Sequence, residues 1–326
     1  MKLFDRKQFN LVFSTAALLP NLYIGNRVYN YFFPRKANVI LYITNRCNSR
    51  CKICNHWQQT PKVDLPFNII EKLLNSRSVN KNGFLIEGGE VILHPEFEEI
   101  IKLLKGRKFE LLSNGIDTER LLRIVDKYNI PSVCISLDGV AQAYKEIRGV
   151  DKYGDVLKSL RLLKDNTDLV VSFTISPWNN FDDFLRVKEI CSKEGFKLVV
   201  NIFSKMKYMG VAEEEIPVDK RYESLDTPYA CLYNQWVKGE LKVPCFSMRF
   251  LTVIRPNGDV ALCQYKNIIL GNLYERSFDQ IWNDERTKKI QRVHMACNDC
   301  WVSSHRAFDV KFNLMVKKVL PFLNLR

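Results

Sequence analysis

Between residues 38 and 202 short apolar, β-branched runs alternate with longer stretches of helical periodicity. The runs at 39–44, 84–87, 109–112, 132–137, 169–175 and 197–201 predict strands, and the stretches at 67–74, 97–105, 118–128, 154–164 and 181–194 predict helices. Strands separated by helices predict parallel βα units with right-handed crossovers. Nearly every chemically distinctive run follows a strand: 45–54 the first, 88–90 the second, 113–115 the third and 138–139 the fourth. Ligands of parallel α/β folds bind at the C-terminal strand ends, so these runs are expected to meet at one site. No repeat or low-complexity segment interrupts the pattern.

The pattern changes after residue 210. Glu213, Glu214 and Glu215 open a polar connection to about residue 228, beyond which lie five of the ten cysteines. The expected layout is an amphipathic extension (1–37), an α/β core (38–210), a connection (211–228), a cysteine-rich unit (229–307) and a basic amphipathic tail (308–326). At the N-terminus Lys2, Arg6 and Lys7 precede an apolar stretch far short of the roughly 20 residues that cross a bilayer. In the tail Phe308, Phe312, Met315, Val316, Val319 and Leu320 recur at helical spacing among Lys311, Lys317 and Lys318. Such helices either lie in a membrane interface or pack onto the body of the protein.

Composition adds two limits. At 46% hydrophobic residues a wholly disordered chain is excluded. The formal charge of +13 suits an anionic partner without choosing among a membrane surface, a phosphorylated substrate and nucleic acid. No RNA-binding module or interleaved aromatic-basic stripe is present.

Cys47, Cys51 and Cys54 form C-x3-C-x2-C. Three soft thiolates on one loop can grip one metal centre from one side. Two solutions follow: a small zinc site completed by His56, or a cubane cluster with three thiolate-bound irons and a fourth left open for a ligand. With GGE at 88–90 downstream, the run resembles the radical S-adenosylmethionine (SAM) superfamily from about Val39 onward.

That resemblance implies a partial (β/α)6 barrel with a [4Fe–4S] cluster at its mouth. It also implies SAM bound through the open iron and cleaved to a 5′-deoxyadenosyl radical, and a low-potential donor such as flavodoxin or ferredoxin. Carried over residue by residue, Gly88, Gly89 and Glu90 match the run that meets the methionine amine. Ser113 and Asn114 match the contacts to its carboxylate or to the ribose. Ser136 and Asp138 match a further cofactor-side run, with Arg148 in its usual follow-on. Asp138 reads equally well as a strand-terminating turn, and Asn179 reads as a helix N-cap. Ile53 stands where the superfamily commonly has an aromatic residue. No residue is singled out as the catalytic base.

Cys245, Cys263, Cys297 and Cys300 form a second set, which alone fits either tetrahedral zinc or a fully ligated cluster. Their spacing resembles the SPASM/twitch extension of radical SAM enzymes, a small α+β unit. The shorter form with one auxiliary [4Fe–4S] cluster is implied, because Trp301, His305 and a cysteine-free tail follow. Cys134, Cys191 and Cys231 are expected in the core. The resulting expectation is a cytoplasmic enzyme at or near the inner membrane face that oxidises a sugar, cyclitol or lipid-linked small molecule. A peptide maturase and a noncatalytic Fe–S or zinc protein are the alternatives.

Overall fold

The computed structural model of the chain describes residues 36–204, 206, 208, 221, 223, 225 and 228–310. The N-terminal extension, most of the 211–228 connection and the tail beyond 310 lie outside the described residues, and with them the amphipathic segments.

Six parallel strands are laid down in chain order: β1 (Ala37–Tyr42), β2 (Val79–Glu87), β3 (Phe109–Ser113), β4 (Ser132–Ser136), β5 (Asp168–Ile175) and β6 (Lys197–Ile202). The connecting helices are α1 (Phe67–Leu74), α2 (Phe97–Leu103), α3 (Thr118–Tyr128), α4 (Gln142–Arg148), α5 (Tyr153–Leu163) and α6 (Phe181–Glu194). This is the expected partial-barrel core, with two adjustments. β2 begins five residues earlier than its apolar run, because polar Asn80 is held by its side-chain bond to Asn38 (2.8 Å). α4 was not expected: it is short, buries only Tyr144, Ile147 and Arg148, and ends at once on left-handed Gly149.

Both faces of β1 are covered. Val39, Leu41 and Ile43 pack in the large cluster that also holds the buried helix residues, while Ile40 and Tyr42 pack with Leu85, Leu251 and Val253 on the other face. The two-residue period of a strand makes this division. Each fully buried aliphatic side chain contributes about 1.5–3 kcal/mol. Asn180 caps α6, accepting from the Asp182 and Asp183 N–H groups in a reciprocal capping box. The cap reading of Asn179 is therefore wrong by one residue. Asn179 is buried, and its amide donates to the carbonyls of Asp138 (3.0 Å) and Thr174 (2.8 Å).

The cysteine-rich unit comprises α7 (Pro228–Cys231), α8 (Tyr233–Val237), β7 (Leu251–Ile254), β8 (Asp259–Ala261), β9 (Ile269–Asn272), α9 (Phe278–Asn283) and α10 (Glu285–His294). Its strands extend the core sheet, in the order β6-β5-β4-β3-β2-β1-β7-β8-β9. β7 pairs in parallel with β1, and β8 and β9 return antiparallel. At the seam the Asp279 carboxylate accepts from the N–H groups of Arg77 (3.1 Å) and Ser78 (2.8 Å). No helix among the described residues is long and apolar enough to cross a membrane.

Candidate active site and cysteine centres

The loop after β1 and the turn after β2 are built into each other. Gly89 N–H donates to Thr44 O (2.8 Å) and Glu90 N–H to Arg46 O (2.7 Å). Side chains are excluded there, since a Cβ on Gly89 would lie 2.0 Å from Arg46 O, and one on Gly88, at φ +143°, 2.4 Å from Thr44 O. The second glycine is thus required by the neighbouring loop.

Glu90 is completely buried. Its carboxylate accepts from Ser113 Oγ (2.9 Å) and Asn114 N–H (2.7 Å), tying the end of β2 to the end of β3. Burial raises its pKa to about 7, against the opposing pull of these donors and of the Ile92 N–H. Asn114 also donates to Asn48 Oδ1 (2.7 Å), on the cysteine loop. Asp138 and Arg148, both buried, pair with each other, and Arg148 Nη1 lies 3.5 Å from Cys51 Sγ. Ser136 stands on β4 opposite Ser172 of β5. The structure therefore gathers Glu90, Ser113, Asn114, Asp138 and Arg148 around one loop.

Burial raises the Cys47 pKa to about 11 and the Cys54 pKa to about 12, and the neighbouring thiols of the trio push both further up. Thiols raised in this way become thiolates only beside a positive centre. One donor is already aimed at a sulfur, the Ser49 N–H on Cys47 Sγ (3.4 Å), and Ser49 Oγ, whose hydrogen goes to Arg148 O, contacts Cys51 Sγ (3.1 Å). No three His, Cys, Asp or Glu among the described residues are gathered as ligands of a single metal ion. A cubane instead places each thiolate on a separate iron, and this donor set fits one. His56 is fully buried between Tyr42 and Tyr208 (ring centroids 5.3 and 5.7 Å).

In the second unit the four thiols also feel one another. Burial lifts the Cys245 and Cys263 thiols and takes Cys300 to about 11; Cys300 adds to the rise at Cys245, and Cys297 to that at Cys263. Lys266 N–H donates to Cys263 Sγ (3.2 Å), and Ser247 Oγ contacts Cys245 Sγ (3.3 Å). Ser247 also touches His305 (3.1 Å), which, like Trp301, is buried core beside the thiols. Cys134 and Cys191 are buried as expected, and Cys231 only partly.

One interior residue escaped the sequence reading. Glu87 lies opposite Tyr42 in the sheet register, on the inner face, and no described residue donates to its carboxyl group. Burial and then Glu110 raise its pKa to about 8. The signal was present: Glu87 directly follows the apolar run Phe84, Leu85 and Ile86. Tyr42 itself accepts from Gln264 Nε2 (2.6 Å), the residue after Cys263, so this side chain joins the barrel interior to the second cysteine centre.

Comparison with known proteins decides the family. The model of the radical SAM superfamily matches residues 41–191, and that of an iron–sulfur cluster-binding domain, SPASM, matches 245–301. The chain carries a radical SAM domain followed by a SPASM domain. A radical SAM domain implies a [4Fe–4S] cluster with SAM, and a SPASM domain implies auxiliary iron–sulfur centres.

Two Bacillus subtilis proteins are similar to this radical SAM chain. The antilisterial bacteriocin subtilosin biosynthesis protein AlbA is 24% identical over 79% of the chain and 62% of its own length. The sporulation killing factor maturation protein SkfB is 23% identical over 77% and 66%. The chain thus spans less than two thirds of either. A Pyrococcus furiosus protein, the tungsten-containing aldehyde ferredoxin oxidoreductase cofactor-modifying protein, is 24% identical over 80% of the chain and 86% of its own length. Streptococcus suis SuiB bound to precursor peptide SuiA shares the fold, with a TM-score of 0.64 at 14% identity, covering 81% of this chain and 69% of that one.

Proposed function

We propose that this radical SAM protein is an enzyme that modifies a peptide. The observation that carries the radical chemistry is the interlocked trio of Cys47–Cys51–Cys54 loop, Gly88–Gly89–Glu90 turn and Ser113–Asn114 strand end. Cys47, Cys51 and Cys54 would hold the [4Fe–4S] cluster, where SAM, when bound, supplies a 5′-deoxyadenosyl radical. Glu90 accepts from Ser113, Asn114 and Ile92 and, with about four acceptor sites, would retain one for the methionine ammonium, whose charge would favour the ionised form. Gly88 and Gly89 let the cysteine loop lie directly against this turn, and Ser113, Asn114 and Ser136 complete the cofactor side. Asp138 and Arg148 belong to the support of the cysteine loop. Cys245, Cys263, Cys297 and Cys300 would hold an auxiliary cluster, which with four thiolates suits electron transfer rather than substrate binding. The reaction is accordingly read as an oxidation, with reducing electrons for the first cluster from a low-potential protein donor.

The peptide class is supported by the names of AlbA and SkfB and by the peptide bound to SuiB. It displaces the small-molecule expectation, which rested on net charge and on termini outside the described residues. The cofactor-modifying Pyrococcus relative keeps a small-molecule substrate as the second reading. The test is anaerobic incubation of the reconstituted protein with SAM and dithionite, with and without a peptide fraction from the source cells. The expected result is 5′-deoxyadenosine in both and a mass change in a peptide. No 5′-deoxyadenosine from a reduced cluster would leave a noncatalytic iron–sulfur protein. Replacing Cys47, Cys51 and Cys54 together by Ala is expected to abolish 5′-deoxyadenosine while leaving one cubane's iron and sulfide.

A further inference from the structure

The cysteine loop is gripped by α4. Arg50 N–H and Ser49 Oγ both donate to Arg148 O (2.9 Å each), and Lys52 N–H donates to Ile147 O (2.9 Å). Gly149 allows this approach, since at φ +66° a Cβ there would stand 2.5 Å from Arg50 O. The grip ends in a buried charge: the Arg148 side chain is 9% exposed, its Nη1 lies 3.5 Å from Cys51 Sγ, and its Nη2 meets the Asp138 carboxylate. Asp138 is itself fixed, by the Thr174 N–H on Oδ1 (2.8 Å) and by Asn179 on its carbonyl.

We propose that Arg148 is a positioning residue that raises the reduction potential of the cluster on the Cys51 loop, with Asp138 setting where its guanidinium stands. This rests on the assignment of Cys47, Cys51 and Cys54 to that cluster. Reduction adds one negative charge to a cluster. A donor and positive charge at a ligand sulfur stabilise that state, and burial strengthens the effect. Asp138 attenuates the charge and stops the guanidinium from turning away. Backbone grip alone would hold the loop without any charge, so the guanidinium at the sulfur is the part that calls for an electrical role.

The experiment is a redox titration of the anaerobically reconstituted full chain followed by electron paramagnetic resonance, with iron and sulfide counted in each sample. The first cluster is identified as the one whose signal changes when SAM is added. Arg148→Gln is expected to lower its midpoint, Asp138→Asn to raise it, and Arg148→Lys to lie between Arg148→Gln and the parent. The auxiliary midpoint should not move. Unchanged first-cluster midpoints at full iron content in both Arg148→Gln and Asp138→Asn would overturn the proposal, as would loss of that cluster in both. Should Arg148→Gln alone lose the cluster, Asp138→Asn decides: a rise supports the proposal and its absence overturns it. A parent protein with no SAM-responsive signal would instead sink the functional reading.

Discussion

Substituting Gly89 by Ala tests the interlock at the barrel mouth. The added Cβ would sit 2.0 Å from Arg46 O, about 1 Å inside the 3.0 Å limit below which a neighbour must move. That oxygen is a backbone atom already bonded to Glu90 N–H, so it cannot swing aside as a side chain would. Relief requires the two loops to part, which breaks or stretches Gly89 N–H to Thr44 O and Glu90 N–H to Arg46 O. Two hydrogen bonds at about 1 kcal/mol each, with overpacking of about 1–3 kcal/mol, put the loss at about 3–5 kcal/mol. With a urea dependence of about 3 kcal/mol/M, the unfolding midpoint should fall by about 1 M or more. Tryptophan fluorescence reports it, and Trp282 and Trp301 are both buried in the second unit. Because Arg46 precedes Cys47, iron at the first centre should fall while the auxiliary centre stays filled. A parental midpoint with full iron content would refute the argument.

Three further substitutions probe the interior and the seam. Glu87 has a pKa of about 8 in the folded chain against an ordinary 4.5, so the folded state binds more protons across that window and stability falls as pH rises through it. Glu87→Gln should flatten this fall, and equal differences between urea midpoints at pH 5 and pH 8 in parent and variant would count against it. Tyr42→Phe leaves the buried Gln264 amide without its acceptor and should cost about 1–3 kcal/mol by urea unfolding; a neutral result would mean that Gln264 finds another partner. Asp279→Ala removes the acceptor for the Arg77 and Ser78 N–H groups and should cost about 1 kcal/mol. No change in midpoint would show that the sheet alone holds the seam.

Much of this was legible without coordinates. Periodicity located the six parallel strands and five of the six helices of the core, because hydrophobic spacing and secondary structure share a period. Thiol spacing singled out both candidate sets of cysteine ligands, since ligands on one loop or in one short unit need no long-range folding to be recognised. Polar commitments were not legible, because they depend on partners far away in the chain. Asn179 reads as a cap until the structure shows Asn180 in that place and Asn179 on the Asp138 and Thr174 carbonyls. Arg148 reads as a cofactor-side residue in the sequence, and only the fold brings it within 3.5 Å of Cys51, 97 residues away. Glu87 ends the apolar run of β2, and only the register with Tyr42 shows that it turns inward, with no donor to its carboxyl group among the described residues. The pairing of β7 with β1 likewise needed the tertiary structure, for no local pattern says that a separate cysteine-rich unit will continue the sheet of the core. Sequence alone thus determined the elements and the metal-binding chemistry, which are local. Tertiary structure decided which buried polar groups are spent on one another and which remain free to act, because a buried donor or acceptor takes its meaning from its partner.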